Sequence, residues 1–381
     1  MSFYDNFLTD THRMVRDSCR RFAEKEILPN AHEWEEAEAF PKSLYAKAGA
    51  AGIIGGGFPE EVGGSGGGPM EMVMGIEGLM RGGSTGVAVG LGIAGIAIPP
   101  IVQSGNEDLI DRYVRPVLAG QKVGALCITE PGTGSDVAAV STRARLDGEH
   151  YVVNGAKMFI TSGVVADAYT TLVRTGDDPH MGLTFVVIDA DSPGVSVSRS
   201  LKKTGWRASD TAELAFEDVR VPVSNRVGAE GSAFATLMRN FQTERLALAA
   251  YGAATALIAW EEALAYAKER QVFGKSLMGF QVTRHKLADM ATQVTATRTL
   301  LYQVASRMGA GQEVIAEVSM AKNMAAQTAI NVCYEAVQIH GGMGYMRETL
   351  VERLSRDARL LPIGGGTQEI MKEIIAKRLG F

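Results

Sequence analysis

Cysteine is scarce: Cys19, Cys127 and Cys333 are the only three in 381 residues, and they stand far apart. An odd, scattered set builds neither a disulfide framework nor a thiolate metal site, and it fits a reducing, cytoplasmic setting. Clustered positive charge is missing too. With 38 Lys and Arg against 43 Asp and Glu, the net charge of −5 offers no nucleic-acid surface, because such binding draws on counterion release by grouped cations. Histidine is equally sparse. His340 has no companion at metal-ligand spacing, and His285 is remote, so no metal site is expected. The N-terminus, "MSFYDNFLTDTHRMVRDSCRRF", mixes acids with bases and lacks a signal-peptide apolar run, so it reads as the first helix of the mature fold.

Long hydrophobic runs are nearly absent as well. Gly82 to Asn106 carries no charge, which is length enough for a bilayer, but Pro99-Pro100 and repeated glycines make a poor lipid-facing helix. A buried helix of a soluble protein is expected there, with no membrane span. The same run holds a literal G-x-G-x-x-G at Gly90, Gly92 and Gly95. Prolines follow too soon for the helix that a dinucleotide fingerprint requires, so this match is read as coincidence.

What is present falls into three blocks, an α+β multidomain arrangement. Residues 1–118 show helical apolar spacing in "RMVRDSCRRFAEKEIL" and "EDLIDRYVRPVLAG", interrupted by Pro29, Pro41 and the loop "GGGFPEEVGGSGGG", which is expected to be mobile. Residues 119–226 turn to short β-branched runs such as "LTFVVID", "GVSVSR" and "AELAFEDVRVP", which predict a β domain. In "HYVVNGAKMFI", Asn154-Gly155 between two apolar runs predicts a tight hairpin turn. Residues 227–381 return to long Ala-, Leu- and Met-rich helical patterns that suit an antiparallel four-helix bundle.

Several stretches carry chemistry. In "LMRNFQTERLALAAYG", Leu237, Phe241, Glu244 and Leu248 share one helical face. An acid on an inward stripe is costly unless paired or used, so Glu244 with Arg245 is either a structural ion pair or a working base. "LCITEPGTGSDV" runs a strand into a glycine turn where Thr129 and Ser135 can surround a carbonyl-rich ring or a phosphate, or form an ordinary turn. In "MFITSG", Phe159 beside Thr161 either walls a flat cofactor or is core. Arg270 in "ERQVFGKSLMGFQ" either grips a pyrophosphate or favours its helix C-terminus. "QIHGGMGY" ends a helix at a glycine break, and "PIGGGTQEI" opens the last helix at Thr367, a ready anion site.

Taken together and in this order, "GFPEEVGG", "ITEPGTGSDV", "VVNGAKMFITSG", "ERQVFGKSLMGFQ", "QIHGGMGY" and "PIGGGTQEIMKEIIA" resemble the acyl-CoA dehydrogenase family over nearly the whole chain. The resemblance implies an N-terminal α-helical domain, a middle β-domain and a C-terminal four-helix bundle, a homotetramer built as a dimer of dimers, and FAD between β domain and bundle. It implies FAD contacts from Leu126, Ile128, Thr129, Gly134, Ser135, Phe159 and Thr161. Further contacts, to the FAD of the same or a neighbouring subunit, are implied for Arg270, Phe273, Phe280, Gln281, Gln338, Gly341, Gly342, Thr367 and Glu369. For the acyl-CoA substrate it implies Ser135, Phe241, Gln242, Arg245, Gly364 and Gly366, with electrons passing to electron-transfer flavoprotein.

One departure is informative. Many members carry the catalytic glutamate just before the Gly-Thr of the last loop, where this chain has Gly365. A smaller set, long-chain and isovaleryl-type enzymes among them, places it on the bundle helix before an arginine, which is the position of Glu244. The resemblance therefore implies Glu244 as the base and leaves Gly365 its backbone amide, a donor to the thioester carbonyl.

Overall fold

The computed structural model describes residue 4 and residues 6–381. Helix α1, Asp10–Phe22, starts at Thr9, whose hydroxyl accepts the His12 N–H while His12 Nδ1 accepts the Thr9 N–H, so two end donors are satisfied reciprocally. It packs on α2, Pro69–Leu79. A Cβ on Gly78 would stand 2.4 Å from the Arg16 carbonyl oxygen, so this close crossing requires glycine. The loop expected to be slack is closed on itself: the Gly57 N–H donates to the Gly66 carbonyl and the Gly66 N–H to that of Phe58.

The uncharged run is buried, as its composition predicts, but it is not one helix. It breaks into Thr85–Leu91, Ala94–Ala97 and Pro99–Ser104, with a bend of 47°. Glycine and proline interrupt it where the chain turns inside the protein. No single helix among the described residues is long and apolar enough to cross a membrane, though the bent pair passes by length and composition. Its G-x-G-x-x-G begins at Gly90 inside the helix Thr85–Leu91, with no strand leading into it.

The middle block forms one sheet from β1 Gly124–Cys127, β2 Arg143–Asp147, β3 His150–Thr161, β4 Ala168–Arg174, β5 Leu183–Asp189, β6 Val195–Ser200, β7 Thr211–Pro222 and β8 Arg226–Val227. The order is β6-β7-β3-β2-β4-β5-β8, with β1 beside β4. Tyr169, Val173, Val186 and Ile188 face the sheet's own core, while Ala168, Leu172, Phe185 and Val187 face the helices. Burial on both faces explains the continuous apolar runs of β4 and β5.

The predicted hairpin at Asn154-Gly155 is not there. β3 runs straight through it as one strand of 12 residues, with a bulge where its pairing to β7 shifts between Val153 and Gly155. The reversal lies upstream, between Asp147 and His150, where Gly148 has φ 62°. Asn-Gly bends this strand because Asn154 exchanges two 2.9 Å hydrogen bonds with Asp218 and a Cβ on Gly155 would strike Thr142.

The last block contains α3 Ala233–Glu269, α4 Gln281–Gly309, α5 Ile315–His340, α6 Leu350–Ala358 and α7 Gln368–Leu379. Small residues bring α3 against α5: a Cβ on Gly252 would meet the Ala325 backbone at 3.0 Å. A buried polar junction ties the three blocks together. Glu35 accepts from Ser84 Oγ at 2.5 Å and the Arg207 N–H at 3.1 Å, and Asp357 of α6 accepts from the Trp206 N–H at 2.7 Å.

Candidate active site

Glu244 sits two turns into the inward stripe of α3, with Leu237 and Leu248 buried on either side and Phe241 partly so. The residue as a whole is half-buried, yet its Oε2 is sealed from solvent and has no hydrogen-bond partner among the described residues. The Oε1 of neighbouring Gln242 and the Nε of Arg245 are orphaned in the same way. Each such atom costs about 1–3 kcal/mol of desolvation, and three within one helical turn mark a place completed by a ligand rather than by the chain. Gln242 donates its Nε2 to Met238, and the Arg245 guanidinium lies 5.5 Å from the centroid of the Phe241 ring. Burial pushes the Glu244 carboxyl up from the ordinary range; the positive charges of Arg245 and Lys322 pull the other way and do not win.

The glycine loop closes over this acid. Gly365 has φ +62°, and a Cβ there would stand 3.3 Å from Glu244 Oε1 and 2.3 Å from Leu248 Cδ1. The space a side chain would take at Gly365 is already shared by the helix acid and Leu248. Among the described residues no carbonyl accepts the Gly365 N–H, which leaves that donor for a bound oxygen. Gly364 is open, with only Leu360 near at 3.9 Å, whereas a Cβ on Gly366 would meet Met371 at 2.8 Å and Arg245 Nη2 at 4.0 Å. Lys322 of α5, buried and absent from the sequence-derived set, donates its Nζ to the Gly366 carbonyl. Its only sequence signal was a lone charge in the Ala-rich stretch "VSMAKNMAAQ".

A second group gathers on the β domain. Thr129 accepts the Met158 N–H at 2.8 Å, which places the 126–135 turn beside the end of β3. Leu126 and Ile128 face the helices, while Gly132 and Gly134 have open space where a Cβ would be. Beneath this turn, Glu130 accepts from the Ser141 N–H and Oγ, the Thr142 N–H and Lys157 Nζ, and Lys157 also donates to the Ile128 carbonyl. Neither partner of this buried pair was read as important from sequence.

Beyond it, β3 is strained. Phe159 and Ser162 take left-handed φ values of 61° and 60°, and a bulge falls between Lys157 and Ile160. Phe159 is consequently 61% exposed, so the core alternative for its ring is excluded. An exposed ring on a strained bulge, beside Thr129, Ser135 and Thr161 hydroxyls that have no partner among the described residues, fits a flat hydrogen-bonding cofactor such as FAD.

A third group lies at the other end of the bundle. At a rise of about 1.5 Å per residue, α3 puts Arg270 roughly 39 Å from Glu244. Arg270 ends α3 with extended backbone, and Phe273-Gly274, at φ 49° and 79°, turns a tiny hairpin whose tip phenyl is 96% exposed. Phe280 packs edge-on against Phe273, and Gln281 begins α4. His340, whose ring stacks on Tyr266 of α3 at 4.2 Å, brings exposed Gln338, Gly341 and Gly342 to the same end. Among the described residues no group of acids, histidines and cysteines could hold a metal ion. Thr367 and Glu369 are instead near the acid's end of the bundle: Thr367 Oγ1 caps α7, and both residues line a cavity of about 300 Å³ with Gln327 and Arg359.

A helical domain, a β domain with an exposed aromatic ring on a strained bulge, and a bundle helix whose acid lies against a glycine loop match the arrangement that the resemblance to acyl-CoA dehydrogenases implies. Family models of acyl-CoA dehydrogenases match in sequence: the N-terminal domain over residues 9–121, the middle domain over 125–219 and the C-terminal domain over 231–380. The chain belongs to the acyl-CoA dehydrogenase family. It is 36% identical to the mitochondrial long-chain specific acyl-CoA dehydrogenase of Sus scrofa, covering 97% of this chain and 86% of that one. It is 38% identical to the short-chain specific acyl-CoA dehydrogenase of Clostridium acetobutylicum over 98% of both. The crystal structure of a probable acyl CoA dehydrogenase from Mycobacterium abscessus is 53% identical, with a TM-score of 0.97 over 98% of this chain and all of that one.

Proposed function

We propose that this acyl-CoA dehydrogenase uses Glu244 to take the α-proton of an acyl-CoA thioester, forming the trans-2-enoyl-CoA. The observation that carries this reading is Glu244 itself: its Oε2 has no partner among the described residues, and its Oε1 lies 3.3 Å from where a Gly365 Cβ would stand. FAD is the cofactor, and when bound it supplies the acceptor for the hydride that leaves Cβ. Thr129, Ser135, Phe159 and Thr161 hold and orient it from the β domain.

The α-proton of a thioester is far too weak an acid for a solvated carboxylate. Desolvation raises the basicity of Glu244, and the Gly365 N–H stabilises charge developing on the thioester oxygen, a task that needs no side chain. Phe241, Gln242 and Arg245 line the approach, with Gly366 on the loop opposite. Open space at Gly364 supports a medium-to-long or branched acyl chain, with isovaleryl-CoA the runner-up. Electrons pass on to electron-transfer flavoprotein; fast reoxidation by air with peroxide release would instead mark an oxidase.

The distance from Glu244 to the Arg270 group, and the exposure of Phe273, Tyr345 and Phe381, support a homotetramer in which that group serves the FAD of another copy. In the test, Glu244→Gln retains FAD and binds acyl-CoA, while the rate of flavin bleaching falls by about 10²–10⁴-fold. Bleaching at the wild-type rate removes Glu244 from the role of base.

A further inference from the structure

Lys322 is a lysine in the wrong place for a lysine. It projects from the Ala-rich face of α5, is 1% exposed, and among the described residues donates to one neutral acceptor, the Gly366 carbonyl. An ammonium has three donors, and burying it beside a single neutral oxygen carries a desolvation penalty that an uncharged amide would avoid. Its charge therefore has a use beyond tying down a loop. The charged groups facing it are Glu244 and Arg245 across the interface from α3; the loop it grips, Gly364–Gly366, carries none.

That loop needs a restraint. Gly365 and Gly366 both sit at left-handed φ, 62° and 96°, in a run of three glycines that has little conformational preference of its own. Lys322 grips it one residue beyond the free Gly365 N–H and, from the same position, acts electrostatically on Glu244.

We propose that Lys322 is a positioning residue for proton abstraction: from α5 it pins the glycine loop at Gly366, holding the Gly365 N–H in place, and its charge favours the carboxylate form of Glu244 in a buried site. This rests on the reading of Glu244 as the base. Two titrations follow. Burial raises the Glu244 carboxyl while Lys322 opposes the rise, so the base becomes active as pH climbs through its raised range. Burial lowers Lys322 to about 8, the Glu244 charge pulling it up and Arg245 pushing it down, so above that pH the restraining charge is lost.

The pH dependence of flavin reduction by octanoyl-CoA, followed in the FAD-loaded full chain, tests this with two variants. In Lys322→Met the rate at neutral pH falls about tenfold, the acid limb moves to higher pH, and the alkaline limb near pH 8 disappears. Amide exchange across residues 364–367 also quickens. Lys322→Arg, whose guanidinium stays charged, keeps the acid limb and loses the alkaline one. A wild-type profile in Lys322→Met, a wild-type alkaline limb in Lys322→Arg, or unchanged loop exchange in Lys322→Met overturns the proposal. Glu244→Gln separates the two readings: if it bleaches normally the base assignment fails, whereas its failure to bleach with Lys322 variants of wild-type profile removes Lys322 alone.

Discussion

Two buried carboxylates in this protein each face a lysine from another element, and they are treated in opposite ways. Glu130, under the proposed cofactor cradle, has both oxygens filled by four hydrogen bonds from Ser141, Thr142 and Lys157. Burial pushes its pKa up, but Lys157 and those hydrogen bonds outweigh burial and hold it at about 2. Glu244, in the bundle, has an oxygen with no partner among the described residues, and burial leaves its carboxyl raised. The first carboxylate is satisfied by the fold. The second is left unsatisfied, as the proposed role of proton acceptor requires, and the fold carries that cost. Lys157 itself is drawn below the ordinary lysine range by burial, against Glu130. The carboxylate is the better guide to this pair, because every bond to it favours its charged form.

Breaking the satisfied pair should have the largest effect on stability. Lys157→Met leaves the Glu130 charge buried with its counter-ion gone, at a cost of about 3–5 kcal/mol, readable as a fall in denaturant midpoint. Weaker FAD retention should accompany it, because the 126–135 turn rests on this pair. The pH sign follows from the lowered carboxyl: its contribution is fully present above the unfolded value of 4.5 and is lost as pH falls towards about 2. Glu244 has the reverse sign. Its raised carboxyl favours the fold in acid and opposes it as pH rises, so Glu244→Gln should leave neutral-pH stability equal or higher while abolishing chemistry. A Lys157→Met protein as stable as wild type would dissolve the contrast.

Gly365 sharpens the comparison from the loop side. Gly365→Ala forces a side chain into left-handed backbone, about 1–2 kcal/mol, and sets its Cβ against Leu248. Stability should fall by roughly that amount, and trimming the neighbour with Leu248→Ala should relieve part of the strain at the cost of its own cavity. For the same reason a carboxylate cannot simply be returned to the loop: Gly365→Glu in a Glu244→Gln background meets Leu248 first. Unchanged stability in Gly365→Ala would show that the loop relaxes, and that its glycine run is not a conformational requirement.

What could be read from the residues in advance depended on range. The stripe of Leu237, Phe241, Glu244 and Leu248 is a local periodicity, and so the inward acid was legible; so were the three blocks, since each has its own apolar period. For residues whose roles local spacing left open, such as Phe159 and Arg270, only the resemblance proposes one. Lys322 and the Glu130–Lys157 pair were missed because their partners come from other elements, and a lone lysine in a helix or strand looks solvent-facing until the fold buries it. The uncharged run was rightly placed inside, but its glycines and prolines cut it into three helices. Asn154-Gly155 failed for the opposite reason, since a strong local rule was overruled by pairing with β7.

That last case gives the smallest effect. Asn154 and Asp218 exchange two 2.9 Å hydrogen bonds at an exposed edge of the bulge, where Asp218 is held at φ 49°. Water replaces such bonds readily, so Asn154→Ala should cost no more than about 1 kcal/mol. If the pair formed a hairpin tip, the amides around it would exchange freely and the chain there would tolerate insertion. As a bulge inside β3 it should not: the strand on both sides is laddered to β7, so the amides of Val153 and Ala156 stay protected even in Asn154→Ala, and an inserted glycine after Gly155 shifts the register that aims Phe159 and weakens FAD binding. Rapid exchange at those two amides in the wild-type protein would mean that the strand opens there and that the local turn preference prevails after all.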